Sequence, residues 1–76
     1  RELLELNWER LTPQSLMTGH SIRDLDIRRA TGVSIVGVLR DGGFMPNPSA
    51  DFVFASGDLV AVLGSNSQCA GIGEMV

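Results

Sequence analysis

Two stretches of this chain are apolar at consecutive rather than alternate positions: Val33-Ser34-Ile35-Val36-Gly37-Val38-Leu39-Arg40 and Asp58-Leu59-Val60-Ala61-Val62-Leu63-Gly64. Rich in β-branched residues and bounded by turn-forming Gly and Asp, they predict strands covered on both faces. A third stretch alternates. Leu4, Leu6 and Trp8 interleave with Glu5, Asn7 and Glu9, which predicts a half-buried strand with a wet acidic face.

Between these runs the chain is punctuated. Residues 12–20 are turn-rich and predict a connecting loop, with Leu16 and Met17 packing inward. Ser21-Ile22-Arg23-Asp24 has the capping-box form, with Ser21 as N-cap and Asp24 reaching back to its amide, and Gly32 is placed to stop the helix that follows. Ile22 and Leu25 begin an apolar stripe that Asp26 and Arg29 interrupt, so the pattern predicts one turn, a kink near Asp26 and a second turn. Asp41-Gly42-Gly43 supplies the positive φ angles of a tight hairpin. The strand starting at Phe44 must be short, because Pro46 and Pro48 lack donors and belong at an edge or in a bend. Phe52 and Phe54 alternate with Asp51 and Val53 in a short half-buried piece, and Ser56-Gly57-Asp58 turns the chain into the last strand. Ser65-Asn66-Ser67 can cap a final helix from about residue 68, which Gly71 and Gly73 weaken.

Composition adds a constraint on assembly. Seventy-six residues make one domain, near the lower limit at which a core alone sustains folding. Chains this small add disulfides, metals or oligomerisation. The single cysteine, Cys69, excludes an internal disulfide and fits a reducing compartment, and no Cys/His spacing resembles a zinc site. Strands needing cover on both faces therefore imply a partner copy. The net charge of −3 argues against a nucleic-acid binder. All six basic residues are arginine, and four of them (Arg23, Arg28, Arg29, Arg40) fall between positions 23 and 40, a residue type suited to bidentate capture of phosphate or carboxylate. No run approaches the roughly 18 apolar residues of a membrane span, and no basic-then-apolar leader is present.

Taken in order, Ser21-Ile22-Arg23-Asp24-Leu25-Asp26-Ile27-Arg28, then Thr31-Gly32 running into residues 33–42, then Pro46-Asn47-Pro48, then Ser56-Gly57-Asp58 running into residues 59–64, make a set that resembles the TrkA-C domain. This is the C-terminal lobe of RCK modules, which regulate prokaryotic potassium channels, transporters and cation/proton antiporters. The resemblance extends over residues 3–75. It implies an α+β fold, a small β-sheet flanked by short helices, pairing as a homodimer. It also implies a cytoplasmic setting at the inner face of the cell membrane, beside or attached to a membrane cation transporter. On this reading residues 1–76 are one regulatory domain, and the abrupt ends at Arg1 and Val76 are cuts in a larger polypeptide. No G-x-G-x-x-G is present, so an NAD or ATP role for this chain has no support.

Some members of the family bind cyclic di-AMP across the two-fold axis. The resemblance carries that role onto Asp26 and Arg28 in the helical segment, Ser34 and Ile35 at the start of the second strand, and a proline at Pro46 or Pro48, of which Pro48 is taken as the site residue. The residue types suit such a ligand. An arginine from each chain meets a phosphate, a β-branched side chain covers each adenine, and the strand's first residues supply edge hydrogen bonds. Binding members tend to carry asparagine where Ser34 stands, and a serine lacks the amide's paired donor and acceptor.

Three other roles compete with ligand binding. Catalysis has no convergent acid, base and nucleophile, since His20 and Cys69 lie far apart and Ser34 has no evident base. The domain is expected not to be an enzyme. Asp24, Asp26, Asp41, Asp51 and Asp58 are oxygen ligands for hard cations, but their spacing matches no loop motif. A cap explains Asp24, a turn explains Asp41, and a corner hydrogen bond to nearby amides explains Asp58. A weak divalent-cation sensor therefore stands as one alternative and a purely structural dimerisation module as another. For Arg28 the plainer role is a surface ion pair with Asp24 one helical turn away.

Overall fold

A computed structural model describes residues 3–76 of the chain. Strand β1 (Leu4–Arg10) is followed by a loop, two single-turn helices α1 (Ile22–Leu25) and α2 (Ile27–Thr31), strands β2 (Ser34–Arg40), β3 (Gly43–Pro46) and β4 (Leu59–Ser65), and helix α3 (Asn66–Gly73). The four strands form one antiparallel sheet in the order β1-β4-β2-β3, so the last strand is threaded between the first two. The α+β architecture of a small sheet with short helices is as expected.

Register decides what each strand shows to each side. Opposite residues in an antiparallel pair share a face. Leu6 faces Leu63 and Ser34; Trp8 faces Ala61 and Gly37; Leu59 faces Leu39, which in turn faces Phe44. The other face carries Val60, Val62, Ile35 and Val38, and the helices pack there, burying Leu11, Met17, Ile27, Val33, Phe54 and Ile72 with them. The consecutive apolar run of β2 owes its pattern to a bulge: the pairing with β4 slips between Ile35 and Gly37, leaving Val36 over. An inserted residue resets the alternation, so Ile35 and Val38 share a side although three positions apart.

The expectation of double cover thus needs correcting for the single chain, because only one face of β2 and β4 is covered. The reading of β1 is reversed. Its apolar side is open, with Leu4, Leu6 and Trp8 67%, 54% and 48% exposed, and Leu63 beside them 36% exposed. Glu9 and Asn7 are instead half-buried on the helix side, where α3 reaches β1. A two-residue period marks two faces but does not say which one meets the core.

Local signals are realised closely. Ser21 accepts a hydrogen bond from the Asp24 amide at 3.0 Å, Asp26 breaks the helix in the left-handed region at φ 50°, and Gly32 ends the second turn at φ 86°. Asp41 and Gly42 make the hairpin at φ 52° and 80°. The reciprocal capping box lies at α3, where Ser65 and Gln68 bond each other's amides, and the helix begins at Asn66 rather than near 68. In the loop Met17 is buried but Leu16 is 66% exposed. The turn places these neighbours on opposite sides, with the His20 amide bonding the Met17 carbonyl and Thr18 Oγ1 bonding that of Thr12. Phe52 and Phe54 point inward as expected, edge to face at 5.5 Å, though the segment joins no sheet and makes only a bridge from Val53 to Ser21.

Candidate ligand cleft

The broken helix, the start of β2 and the Pro-Asn-Pro turn enclose a cleft of about 280 Å³. Its lining combines apolar Ile22, Ile27, Val33, Ile35 and Pro48 with polar Arg28, Ser34 and Asn47. Each part has a local cause. The left-handed Asp26 starts α2 in a new direction and so sends Arg28 toward β2, where its Nη2 donates to Ser34 Oγ at 3.1 Å. Asn47 adopts φ 47°, a conformation that asparagine tolerates better than most residues, and its amide donates to the Val36 carbonyl at 2.8 Å. That bond fastens the turn to the bulge and sets Pro48 on the cleft.

Arg28, Ser34, Ile35 and Pro48 therefore come together. Asp26 does not line the cleft; its carboxylate pairs with Arg29 Nε at 2.9 Å. Pro46 ends β3 away from the cleft. The ion pair between Arg28 and Asp24 is absent, and among the described residues Arg28 meets no carboxylate within ion-pair distance. Its guanidinium is exposed, with one neutral partner, on a cleft whose lining is part polar and part apolar. An anion held there by paired N–H groups would find its charge unopposed. Ile22, Ile27, Val33 and Asn47 are lining residues that the sequence pattern does not single out. The signal for Asn47 is its place between two prolines, where a left-handed residue reverses the chain.

A second polar cluster lies at the other end of β2. Arg40 grips Asp58 with two bonds of 2.7 Å, from Nε to Oδ1 and from Nη2 to Oδ2, and Nη2 also donates to the Val53 carbonyl at 3.0 Å. The Ala55 amide donates to Asp58 Oδ2 at 2.8 Å, the corner bond expected of this residue. Asp58 is 1% exposed and Arg40 side-chain exposure is 40%, so the carboxylate depends on the guanidinium for compensation. Burial pushes the Asp58 carboxyl up, but the Arg40 hydrogen bonds, the Ala55 amide and the Arg40 charge together hold it below the usual range. The hydrogen bond to Asp58 raises Arg40 in return. Arg40 also lies over the Phe52 ring at 4.8 Å, beside an apolar hollow of about 300 Å³ between Phe52 and the β2–β3 hairpin. This cluster ties the Gly-Asp corner to the sheet and leaves Arg28 as the cation facing an open cleft. No group of three or more His, Cys, Asp or Glu side chains among the described residues could hold a metal ion.

Residues 6–75 match the TrkA-C domain. The chain belongs to the TrkA-C family. This is a family of regulatory domains rather than of catalysts. The chain is 30% identical over 67 residues to probable potassium channel protein 2 of Methanocaldococcus jannaschii; the match takes in 88% of this chain and 20% of that protein. Among solved structures it superposes on the RCK_C domain dimer of S. agalactiae BusR in complex with c-di-AMP, with a TM-score of 0.86 and 25% identity over 95% of this chain and 89% of that one. S. agalactiae BusR in complex with its busA-promotor DNA matches with the same TM-score of 0.86 and 25% identity, over 95% of this chain and 36% of that one. The RCK C domain of the potassium transport protein KtrA in complex with c-di-AMP matches at TM-score 0.86 and 25% identity, over 96% of this chain and 84% of that one. No helix among the described residues is long and apolar enough to cross a membrane.

Proposed function

We propose that this TrkA-C domain is a dimeric regulatory domain of a potassium or other cation transport system, and that it senses cyclic di-AMP between two copies. The observation that carries the ligand reading is the convergence of Arg28, Ser34, Ile35 and Pro48 on one cleft, with the Arg28 charge unopposed. Two similar domains, those of BusR and KtrA, were solved with this ligand. At about 280 Å³ one cleft is small for a whole dinucleotide, since pockets that enclose a drug-sized ligand run from roughly 300 to 1,000 Å³. Two clefts facing each other across a two-fold axis would double it, each chain taking one nucleotide half.

Ser34 shapes how such a site would work. Its hydroxyl is engaged by Arg28, so it offers an adenine edge less than an asparagine amide does. The phosphate contact from Arg28 and the apolar cover from Ile35 would carry more of the affinity. Regulation then follows from linkage: a ligand touching both copies shifts the angle between them only to the extent that it prefers one arrangement. The transport protein beside or attached to the domain would receive that shift at the inner face of the membrane. The acidic charge of the chain favours no direct contact with nucleic acid, although the similar BusR was also solved with its promotor DNA.

Calorimetric titration with cyclic di-AMP tests the ligand reading. The domain should bind with one ligand per two chains, and Arg28→Ala, which removes a charge-assisted contact of about 1.5–3 kcal/mol from each copy, should weaken binding tenfold or more. No heat at high micromolar ligand retires the ligand and leaves a structural dimerisation module.

A further inference from the structure

Three polar residues line the ligand cleft, Arg28, Ser34 and Asn47, and they differ in what they have left to give. Arg28 carries only donors and suits a phosphate. Ser34 already accepts a hydrogen bond from Arg28 Nη2 at 3.1 Å, which leaves it one O–H to donate. An adenine edge asks for more. Its N6 amino group donates while the ring nitrogen beside it accepts, so a complete partner offers an acceptor and a donor side by side. A carboxamide carries that pair. The Asn47 carboxamide makes no hydrogen bond among the described residues, so both halves of the pair are available.

The backbone of the turn makes this side chain the one that can serve. Pro46 and Pro48 have no N–H, so residues 46–48 hold a single backbone donor, the Asn47 amide, and the Val36 carbonyl takes it at 2.8 Å. On this stretch a donor for a ring nitrogen must come from the Asn47 side chain. The same bond ties Asn47 to β2 close to Ser34, which reduces the freedom the carboxamide loses when it meets a ligand. Conformation points the same way. A residue before proline is ordinarily extended, yet Asn47 sits at φ 47°. Glycine holds that φ at lower cost, and asparagine suits turns chiefly by bonding the nearby backbone, which this one does not do. The turn therefore carries a carboxamide that it does not itself use.

We infer that Asn47 is the base-reading residue of this cleft: its side-chain oxygen accepts from the adenine N6 amino group while its amide donates to the neighbouring ring nitrogen. The inference rests on the cyclic di-AMP reading proposed above and names the residue that sets its base preference. It divides the labour among the polar lining, with Arg28 on the phosphate, Ser34 held by Arg28, and Asn47 on the base. It also accounts for a serine at position 34, since the paired donor and acceptor that Ser34 lacks stand elsewhere on the same cleft.

Calorimetric titration with two probes tests it: cyclic di-AMP, and the analogue with purine in place of adenine, which lacks N6. The wild type should bind the analogue at least about tenfold more weakly, one lost hydrogen bond in each nucleotide half costing about threefold or more. Asn47→Gly keeps a residue at ease at φ 47° and removes the carboxamide. It should bind cyclic di-AMP about tenfold more weakly than the wild type and distinguish the two probes by less than about threefold. Should Asn47→Gly not fold by circular dichroism, Asn47→Asp decides, because a carboxylate accepts from N6 but cannot donate. It should still distinguish the probes while binding cyclic di-AMP at least about threefold more weakly. A wild type that binds both probes equally overturns the role of Asn47 and spares the ligand reading. So does an Asn47→Gly that keeps the full preference, or an Asn47→Asp that keeps the full affinity. A wild type that binds neither probe overturns both.

Discussion

Replacing Arg40 with alanine should destabilise the domain far more at neutral pH than in acid. The pair is lopsided: Asp58 is 1% exposed while the Arg40 side chain is 40% exposed. Removing the arginine leaves a carboxylate in the interior with a single remaining partner, the Ala55 amide at 2.8 Å. Stripping one partner from a buried pair costs about 3–5 kcal/mol, and the water admitted by the vacated side chain brings this toward about 2–3 kcal/mol. Loss of the Phe52 stacking contact adds about 0.5–1 kcal/mol. Asp58→Asn should cost less, about 1–2 kcal/mol, because Arg40 can then hydrate and the amide oxygen still accepts from Ala55.

The pH dependence separates charge from packing. In the wild type the Asp58 carboxyl is held below its ordinary range, so the stability it contributes is present above the unfolded value and is lost as pH falls through the lower folded one. In Arg40→Ala the arginine's hydrogen bonds and charge are gone and burial, the largest influence, prevails, so the carboxyl moves up. Its penalty then grows as pH rises through the unfolded value toward the raised folded one and vanishes in acid. The gap between wild type and variant should therefore be widest at pH 7 and narrower at pH 3.5, where the variant's penalty is gone, and should fall to the stacking contribution only below the wild type's lowered folded value. Urea unfolding at fixed protein concentration, at pH 7, 5, 4 and 3.5, measures it directly. A gap of equal size at pH 7 and pH 3.5 would refute the reasoning and assign Arg40 to packing on Phe52.

Three further substitutions probe the frame. Gly37→Ala should lower stability by about 1–3 kcal/mol, because the added methyl meets the Phe44 ring and lies 2.8 Å from the Met45 carbonyl oxygen, and thermal unfolding reads the loss. Ser65→Ala removes the oxygen that caps α3 and should cost about 1 kcal/mol, with enhanced amide exchange in the helix as its local signature. Met17→Ala should cost about 2–5 kcal/mol while Leu16→Ala stays within about 0.5 kcal/mol, and equal losses for the two would contradict the loop packing.

What could be read from the chain alone were features whose partners lie within a few residues. The cap at Ser21, the break at Asp26, the stop at Gly32 and the hairpin at Asp41-Gly42 each depend on bonds or torsions inside one turn. The inward choice of Met17 over Leu16 depends on where the loop closes, which no local pattern encodes. The outward face of β1 depends on which side α3 reaches, and the alternation of Leu4 to Glu9 is symmetrical in that respect. Arg28 and Ser34 could be anticipated because the resemblance covers both at matching positions, and the kink makes them meet. Asp26 is the converse case, a matching position whose side chain turns to Arg29 in the single chain.

The bulge at Val36 connects these pieces, and it has no local signature because it exists only in the pairing of β2 with β4. Were β2 regular, Ser34, Val36, Val38 and Arg40 would share one side and Ile35, Gly37 and Leu39 the other. Ser34 on the open face would then place Val38 and Arg40 there too, removing a core residue and drawing Arg40 away from Asp58. The inserted residue lets one strand serve both ends: Ser34 joins Leu63 at the rim of the cleft, while Val38 enters the core and Arg40 reaches the Gly-Asp corner. The Val36 carbonyl, in turn, accepts the Asn47 amide and holds the turn that bears Pro48. A ligand pressing on Pro48 or Ser34 therefore pushes on the same bulge from two sides, and the strand behind it carries Gly37 and Leu39 on the open sheet face. The cleft and the open sheet face thus share the backbone of one strand.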